Sequence, residues 1–365
     1  MPESRSKLSV AVIDSNPNDR KAMAKALQDF YSVVQFVDAE SGLDGLRKAP
    51  PTLVLVDEML VPCGGYDFVS AMRGDRALAG IPAVVISGLG LKQVGDSIRR
   101  CGGNGYLPKP WTVDILLRTV SAAQNKAVER KWEALPETER IALKGTLEAM
   151  TGISGAIEAG TPVSYTDFKK TCIPLVKLVY EGNVKSVMDA VREHDNYTFA
   201  HSFKVGTMLA MFGSAIGLSE KDQLLLASGG LLHDVGKMTI PHEVLNKPAR
   251  LSPDEWTVMK RHVPTTMEFL ATCGELPKGA LIIAGQHHEK LDGTGYPNGL
   301  KGSEINELAR MAAIVDIYGA LTDRRTYKPS MEPEEAFGIM TEHMSTHIDI
   351  DLLRVFREVV LDQAR

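Results

Sequence analysis

Along the first third of the chain, short continuous apolar runs alternate with segments whose apolar residues recur every three or four positions. The runs are Leu8–Ile13, Leu53–Val56, Ala83–Ile86 and the shorter Gly105–Leu107. A short apolar run bounded by polar or turn residues fits a strand buried on both faces, and the segments between fit helices. This βα alternation predicts a doubly wound α/β unit with a parallel sheet, whose chemistry should sit at the carboxyl ends of its strands. Its last helix is expected near Thr112–Gln124. A charged stretch, Lys126–Lys131, follows, and Pro136 predicts a helix break. Beyond it, Leu143, Leu147, Met150, Ser154 and Ile157 follow the a/d spacing of a coiled coil. That repeat is short and contains Gly145, Gly152 and Gly155, so it can equally pack on a neighbouring domain or join two copies in a homodimer. The remainder reads as helical throughout, with Gly/Pro-rich loops. The pattern therefore divides the chain into an α/β domain at 1–122, a helical linker at 123–160 and an all-α domain at 161–365.

With 365 residues, the chain can form two or three domains, each with its own core. A formal net charge of -5 argues against a surface that coats a nucleic acid polymer, while leaving room for a local basic pocket. Cys63, Cys101, Cys172 and Cys273 lie far apart and form no CxxC pair, so a reducing cytoplasm fits better than a disulfide framework. Neither a signal-peptide pattern nor an apolar stretch of bilayer length stands out, and no membrane insertion is expected.

Asp14, Asp57, Ser87 and Lys109 stand at the carboxyl ends of the four apolar runs. Carboxylates, a hydroxyl and a lysine at one sheet edge can bind a divalent cation and accept a phosphoryl group on Asp57. In these residues and their spacing, region 1–122 resembles a response-regulator receiver (CheY-like) domain. The resemblance implies Asp57 as phosphoacceptor, Asp14 and Asp57 around Mg²⁺, Ser87 and Tyr106 as switch residues, and Lys109 as the phosphate contact. It also implies a sensor histidine kinase as partner. One feature departs from the pattern: the usual pair of acids after the first strand is Asp14-Ser15 here. A lost carboxylate should weaken Mg²⁺ binding. The alternative is a receiver that keeps its fold without its switch.

In the C-terminal region, His201 shares a helix face with Tyr197, Val205, Met208 and Phe212. Taken alone, such a histidine is ordinarily a satisfied core residue, and His233-Asp234, ending an apolar run, is ordinarily a hydrogen-bonded pair. His262, the pair His287-His288 and Asp316, inside the apolar run Met311–Ile317, change that reading. A buried, unpaired carboxylate costs several kcal/mol or becomes neutral, so it calls for a cation. Seven ligand groups exceed one tetrahedral zinc and suit two metals sharing a bridge. Such a pair can activate water and hold phosphoryl oxygens, which points to metal-assisted phosphoester hydrolysis.

The motifs His201-Ser202, His233-Asp234-Val235-Gly236-Lys237, Ile240-Pro241 and Leu245-Asn246-Lys247-Pro248 resemble the HD superfamily of phosphohydrolases. His287-His288-Glu289 and the stretch Asp292–Gly302, with Gly295-Tyr296-Pro297 inside it, resemble its HD-GYP subfamily. That resemblance implies an all-helical fold and hydrolysis of cyclic di-GMP to pGpG or GMP. It further implies two divalent ions, iron or manganese, with GGDEF-domain proteins among the partners. By it, His201, His233, Asp234 and Asp316 hold one ion. His262, His287 and His288 hold the other, and Asp234 bridges. Lys237 would meet the scissile phosphate, with Arg325 and Lys328 holding the ligand's phosphates. Tyr197 occupies a position where some members carry an acid for a third metal, so two ions are expected.

Gly293 and Gly295 should let the loop before Pro297 adopt left-handed backbone, with Tyr296 either touching substrate or packing. Glu289 is expected as an outer partner or loop anchor rather than a ligand. This sequence departs from the family in having Gly319 and His242 where acids are usual, and Thr326 in place of a proline. Alternatives to hydrolysis of cyclic di-GMP are a cyclic-dinucleotide sensor with little turnover, or a hydrolase of another guanine-containing cyclic dinucleotide.

Overall fold

The computed structural model describes residues 8–245, 247, 249–323 and 331–363. The chain divides into two compact units between Arg130 and Lys131. In the first, β1 (Ser9–Ile13), α1 (Pro17–Leu27), β2 (Ser32–Phe36), α2 (Ala39–Lys48), β3 (Leu53–Asp57), α3 (Gly65–Gly74), β4 (Ala83–Ser87), α4 (Leu91–Cys101) and β5 (Gly105–Pro108) follow one another. Helix α5 (Val113–Trp132) closes the series and runs past the expected end at Gln124. All strands pair in parallel, in the order β2-β1-β3-β4-β5.

Central strands are apolar on both faces because helices cover both. Ala11, Ile13, Val54 and Val56 pack with Phe68, Met72 and Val94 on one side. Val10, Val12, Leu53 and Leu55 pack with Met23, Leu27, Leu116 and Val120 on the other. Strand β2 is absent from the sequence reading. Ser32–Phe36 lies at the sheet edge with no fully buried residue, so it lacks the apolar run that marks its neighbours.

The second unit contains α6 (Glu137–Ala159), α7 (Tyr165–Glu181), α8 (Val184–Arg192), α9 (Tyr197–Ala215), α10 (Glu220–Leu232) and α11 (His242–Leu245). After these come α12 (Pro253–Lys260), α13 (His262–Thr272), α14 (Lys278–Gln286), α15 (Glu307–Thr322), α16 (Pro333–His343) and α17 (Ile350–Gln363). Helix α6 begins right after Pro136. It packs against α7, so of the segment expected as a linker, 123–160, residues 131–160 belong to this unit and 123–130 to the first, within α5. Of the proposed heptad residues, Leu143 and Met150 are buried, whereas Leu147, Ser154 and Ile157 are only partly so; Glu139, Ala142, Thr146, Ile153 and Ala156 complete the buried face.

Helix α9 is apolar nearly all round, as a helix enclosed by others must be. Its Val205, Leu209 and Phe212 join Ile314 and Val315 of α15, Phe337 of α16 and Phe356 of α17 in one core. Helices α9 and α10 approach glycine to glycine. A Cβ on Gly230 would lie 2.8 Å from the Gly206 Cα, so no larger residue fits without separating the helices. Among the described residues no helix is long and apolar enough to cross a membrane, and all four cysteines are free thiols.

Candidate functional site

The seven histidines and aspartates singled out in the C-terminal sequence converge. Close packing of α9 on α10 brings the His201 and His233 rings to 5.6 Å between centroids. His233 caps the C-terminus of α10, His262 opens α13, His287 caps α14, His288 follows it, and Asp316 sits inside α15. They form two groups of ligand atoms, each within 4.8 Å: His201, His233, Asp234 and Asp316, and Asp234, His262, His287 and His288. Asp234 belongs to both. Its Oδ2 lies 3.2 Å from His233 Nε2 and 3.8 Å from His201 Nε2. Its Oδ1 lies 3.2 Å from His262 Nε2 and 3.7 Å from His287 Nε2. Each oxygen therefore serves a different group.

The imidazoles are aimed by their outer nitrogens. His233 Nδ1 donates to the Gly230 carbonyl (2.7 Å), His262 Nδ1 to that of Met259 (2.7 Å) and His287 Nδ1 to that of Ala284 (3.0 Å). A carbonyl can only accept, so Nδ1 carries the proton and Nε2 is turned inward. His262 Nε2 and His288 Nε2 face each other at 3.1 Å. His233 Nε2, His287 Nε2 and Asp234 Oδ1 are buried without a hydrogen bond; the neighbours just described lie at ion-pair distance but without hydrogen-bond alignment.

Electrostatics separates the two groups. Burial alone would push the His233 imidazole down, but Asp234 and Asp316 overrule it and hold it up at about 10. His262 goes the other way: burial pushes it down to about 4, against the pull of Asp234. Burial also drives His288 well below the ordinary histidine range. Burial would raise the carboxyl of Asp234, yet His233 and Lys237 hold it well below the usual range. Asp316 behaves likewise, held down chiefly by His201.

Lys237, on the short 3-10 turn after Asp234, pairs with the Asp234 carboxylate. Tyr296 stacks on His288, with centroids 4.7 Å apart, and its N–H donates to the His288 carbonyl. Glu289 is a loop anchor. Buried, it accepts from the Asn298 and Leu300 N–H groups at 2.7 and 2.9 Å. Gly293 has φ +82, as expected, but Gly295 has ordinary φ. A Cβ there would come within 2.4 Å of the Lys290 backbone nitrogen, so crowding is what requires the glycine. Tyr197 stacks on His201 at 5.4 Å. Arg325, Thr326 and Lys328 lie outside the described residues. Asp323, which the sequence reading passed over, reaches His201 Nδ1 at 2.8 Å.

In the first unit, Asp14, Asp57, Ser87 and Lys109 meet at the carboxyl edge of the sheet. Lys109 Nζ lies 2.5 Å from Asp57 Oδ2, 2.9 Å from Asp19 Oδ2 and 3.8 Å from Asp14 Oδ2. Burial tends to lower the Lys109 ammonium, but Asp57 and Asp19 raise it overall. Asp14 is pushed up by burial and by Asp57. Ser87 Oγ accepts from the Leu89 N–H at 3.0 Å, and Tyr106 donates its hydroxyl proton to the Leu89 carbonyl at 2.5 Å. Ser15, where an acid was expected, accepts from the Val61 N–H at 3.0 Å and so ties down the loop after β3. Asp19 was not foreseen at this edge.

Residues 10–121 match the response regulator receiver domain family, and residues 185–352 match the HD domain family. The chain is a response-regulator receiver domain joined to an HD domain. Over 97% of its length it is 27% identical to a Vibrio cholerae protein named "Probable cyclic di-GMP phosphodiesterase", covering 78% of that protein. Over 52% of its length it is 32% identical to a 3'3'-cGAMP-specific phosphodiesterase 3 of the same organism, of which it spans 41%. Among solved structures, Bd1817, an HDG"Y"P protein from Bdellovibrio bacteriovorus, aligns with a TM-score of 0.50 and 17% identity, over 74% of this chain and 81% of that one. At such identity the likeness is one of fold. Receiver and HD domain correspond to the α/β and all-helical architectures described above.

Proposed function

We propose that the HD domain is a metal-dependent phosphodiesterase that opens cyclic di-GMP to pGpG or GMP, and that the receiver regulates it. The observation carrying this reading is the pair of four-group donor sets sharing Asp234, in which three buried polar atoms have no hydrogen bond. Imidazole nitrogens with carboxylate oxygens suit a transition metal such as iron or manganese. His201, His233, Asp234 and Asp316 would hold one ion; Asp234, His262, His287 and His288 the other. Bound there, divalent ions supply Lewis-acid activation of water and neutralise charge on phosphoryl oxygens.

The chain's own groups do the rest. Backbone carbonyls at Gly230, Met259 and Ala284 keep the Nδ1 protons in place and leave Nε2 free to coordinate. Lys237 offers positive charge to a phosphate beside Asp234. Tyr296 covers His288 and limits water on that side. In the receiver, the Asp57 carboxylate beside Lys109 would take the phosphoryl group from a sensor histidine kinase, with Asp14 and Asp57 around Mg²⁺.

Incubating anaerobically purified, Fe²⁺- or Mn²⁺-loaded protein with cyclic di-GMP should release pGpG or GMP. Binding without product would overturn the enzyme in favour of a sensor. A parallel incubation with 3'3'-cGAMP addresses the other guanine-containing substrate, which the 32%-identical relative's name brings into play. Acetyl phosphate should label the chain, and Asp57→Ala should abolish the labelling; an unlabelled native protein would remove phosphorylation from the proposal.

A further inference from the structure

We infer that Asp323 is a positioning residue for His201, supplying from the end of α15 the outer carboxylate that no side chain supplies at Gly319. The inference rests on the proposed metal-binding role of His201.

His233, His262 and His287 sit at helix ends, where a carbonyl three residues earlier is available to take the Nδ1 proton. His201 lies inside α9, where the helix's own N–H groups occupy the nearby carbonyls. Its Nδ1 needs an acceptor from another element. Asp323, the C-cap of α15, provides one: its Oδ2 is 2.8 Å from His201 Nδ1. On the other edge of the ring, His201 Nε2 lies 2.8 Å from Asp316 Oδ1. Two carboxylates from one helix thus grip the ring, one on the metal-facing side and one behind it.

Asp323 is itself held. Its N–H donates to the Gly319 carbonyl at 2.7 Å, and its Oδ1 accepts from Lys204 Nζ at 2.7 Å. Lys204 also donates to Thr322 Oγ1 at 2.7 Å, so the ammonium holds Oδ1 while His201 meets Oδ2. One helical turn before Asp323, Gly319 faces the same imidazole. A Cβ built there would lie 3.3 Å from His201 Cε1 and 3.5 Å from Nδ1. Glycine at 319 therefore places no carboxylate behind the ring, and Asp323 reaches back to do so. A carboxylate behind a ligating imidazole fixes its tautomer and makes its inner nitrogen a better donor.

The competing account is a plain salt bridge between α9 and α15, in which Lys204 and Asp323 matter equally. Metal-stripped protein and its D323A, D323N and K204A variants should be titrated with Mn²⁺ against a competing chelator, with circular dichroism to confirm helicity. The positioning role predicts affinity weakened about 10–100-fold in D323A. D323N, which keeps the shape but loses the charge, should weaken it by at least several-fold. K204A, which breaks the same largely buried salt bridge but spares the contact with His201, should weaken it clearly less than D323A does. Equal weakening in K204A and D323A, or native affinity in both Asp323 variants, would overturn the inference. A native protein that binds no Mn²⁺, Fe²⁺ or Zn²⁺ at all would instead refute the metal reading on which it rests.

Discussion

At the carboxyl edge of the receiver sheet, Asp14, Asp19 and Asp57 gather around Lys109, and every candidate donor is an oxygen. In the HD domain, Asp234 and Asp316 face five imidazoles, and the donors are mixed nitrogen and oxygen. Oxygen-only sites suit hard ions such as Mg²⁺, whereas imidazole-rich sites suit transition metals. Protons are also managed differently. In the receiver, three carboxylates face one ammonium, which Asp57 and Asp19 hold above its ordinary value. The HD domain relies on imidazoles, whose charge is set by burial and by neighbouring carboxylates. The first arrangement sets a carboxylate beside a cation; the second gathers imidazoles and carboxylates whose donor atoms converge.

The comparison breaks most severely if Asp234 is dispensable. Asp234→Ala should strip both ions and cost activity well beyond the roughly 10–100-fold typical of an outer partner, as read by metal analysis and product formation on helical protein. Retention of both ions would end the idea of a shared ligand.

Acid should separate the two regions next. His262 is held neutral in the folded metal-free protein, down to about 4, while in the unfolded chain it takes a proton near its ordinary value. As pH falls between those values the unfolded state binds the additional proton, so stability is lost, by up to about 3 kcal/mol from this residue. His233 has the opposite sign. Its folded value of about 10 gives stability that is full below the ordinary histidine value and fades as pH rises towards 10. Urea midpoints of chelator-treated protein should therefore fall on both sides of neutrality, and His262→Gln should flatten the acid side.

Glu289→Ala tests whether a carboxylate close to the ligands serves the fold rather than the ions. Two N–H groups of the loop would lose a buried charged acceptor, at a cost of about 2 kcal/mol, with faster proteolysis near residues 290–302. Metal content should stay native; parallel loss of metal would make Glu289 part of the metal-holding set.

The smallest effect is in the receiver. Asp14 is pushed up by burial beside Asp57, so its charge is a burden on the fold at neutral pH. Asp14→Asn should raise receiver stability by about 1 kcal/mol while weakening Mg²⁺ binding. Destabilisation would mean that Lys109 compensates Asp14 more fully than its 3.8 Å distance implies.

What the sequence determined by itself is what is local or enclosed on all sides. Strands β1, β3 and β4 were legible because burial on both faces requires an unbroken apolar run; His201, His233, Asp234, His287 and His288 because they sit in short motifs; and Asp316 because it interrupts an apolar run, whereas His262 carries no such local mark. Edge strand β2 left no such run, since one side of it meets water. The extent of α5, the burial of α6 against α7 and the crowding at Gly295 depend on packing between segments, which periodicity does not encode. Only the tertiary structure decided that Asp234 turns one oxygen to each ligand group, that Ser15 holds a loop, and that Asp19 joins Lys109. It alone brought Asp323 to His201 across 122 residues of chain. That pairing depends on the register of α9 against α15, which packing of the whole helical core sets and no stretch of sequence specifies alone.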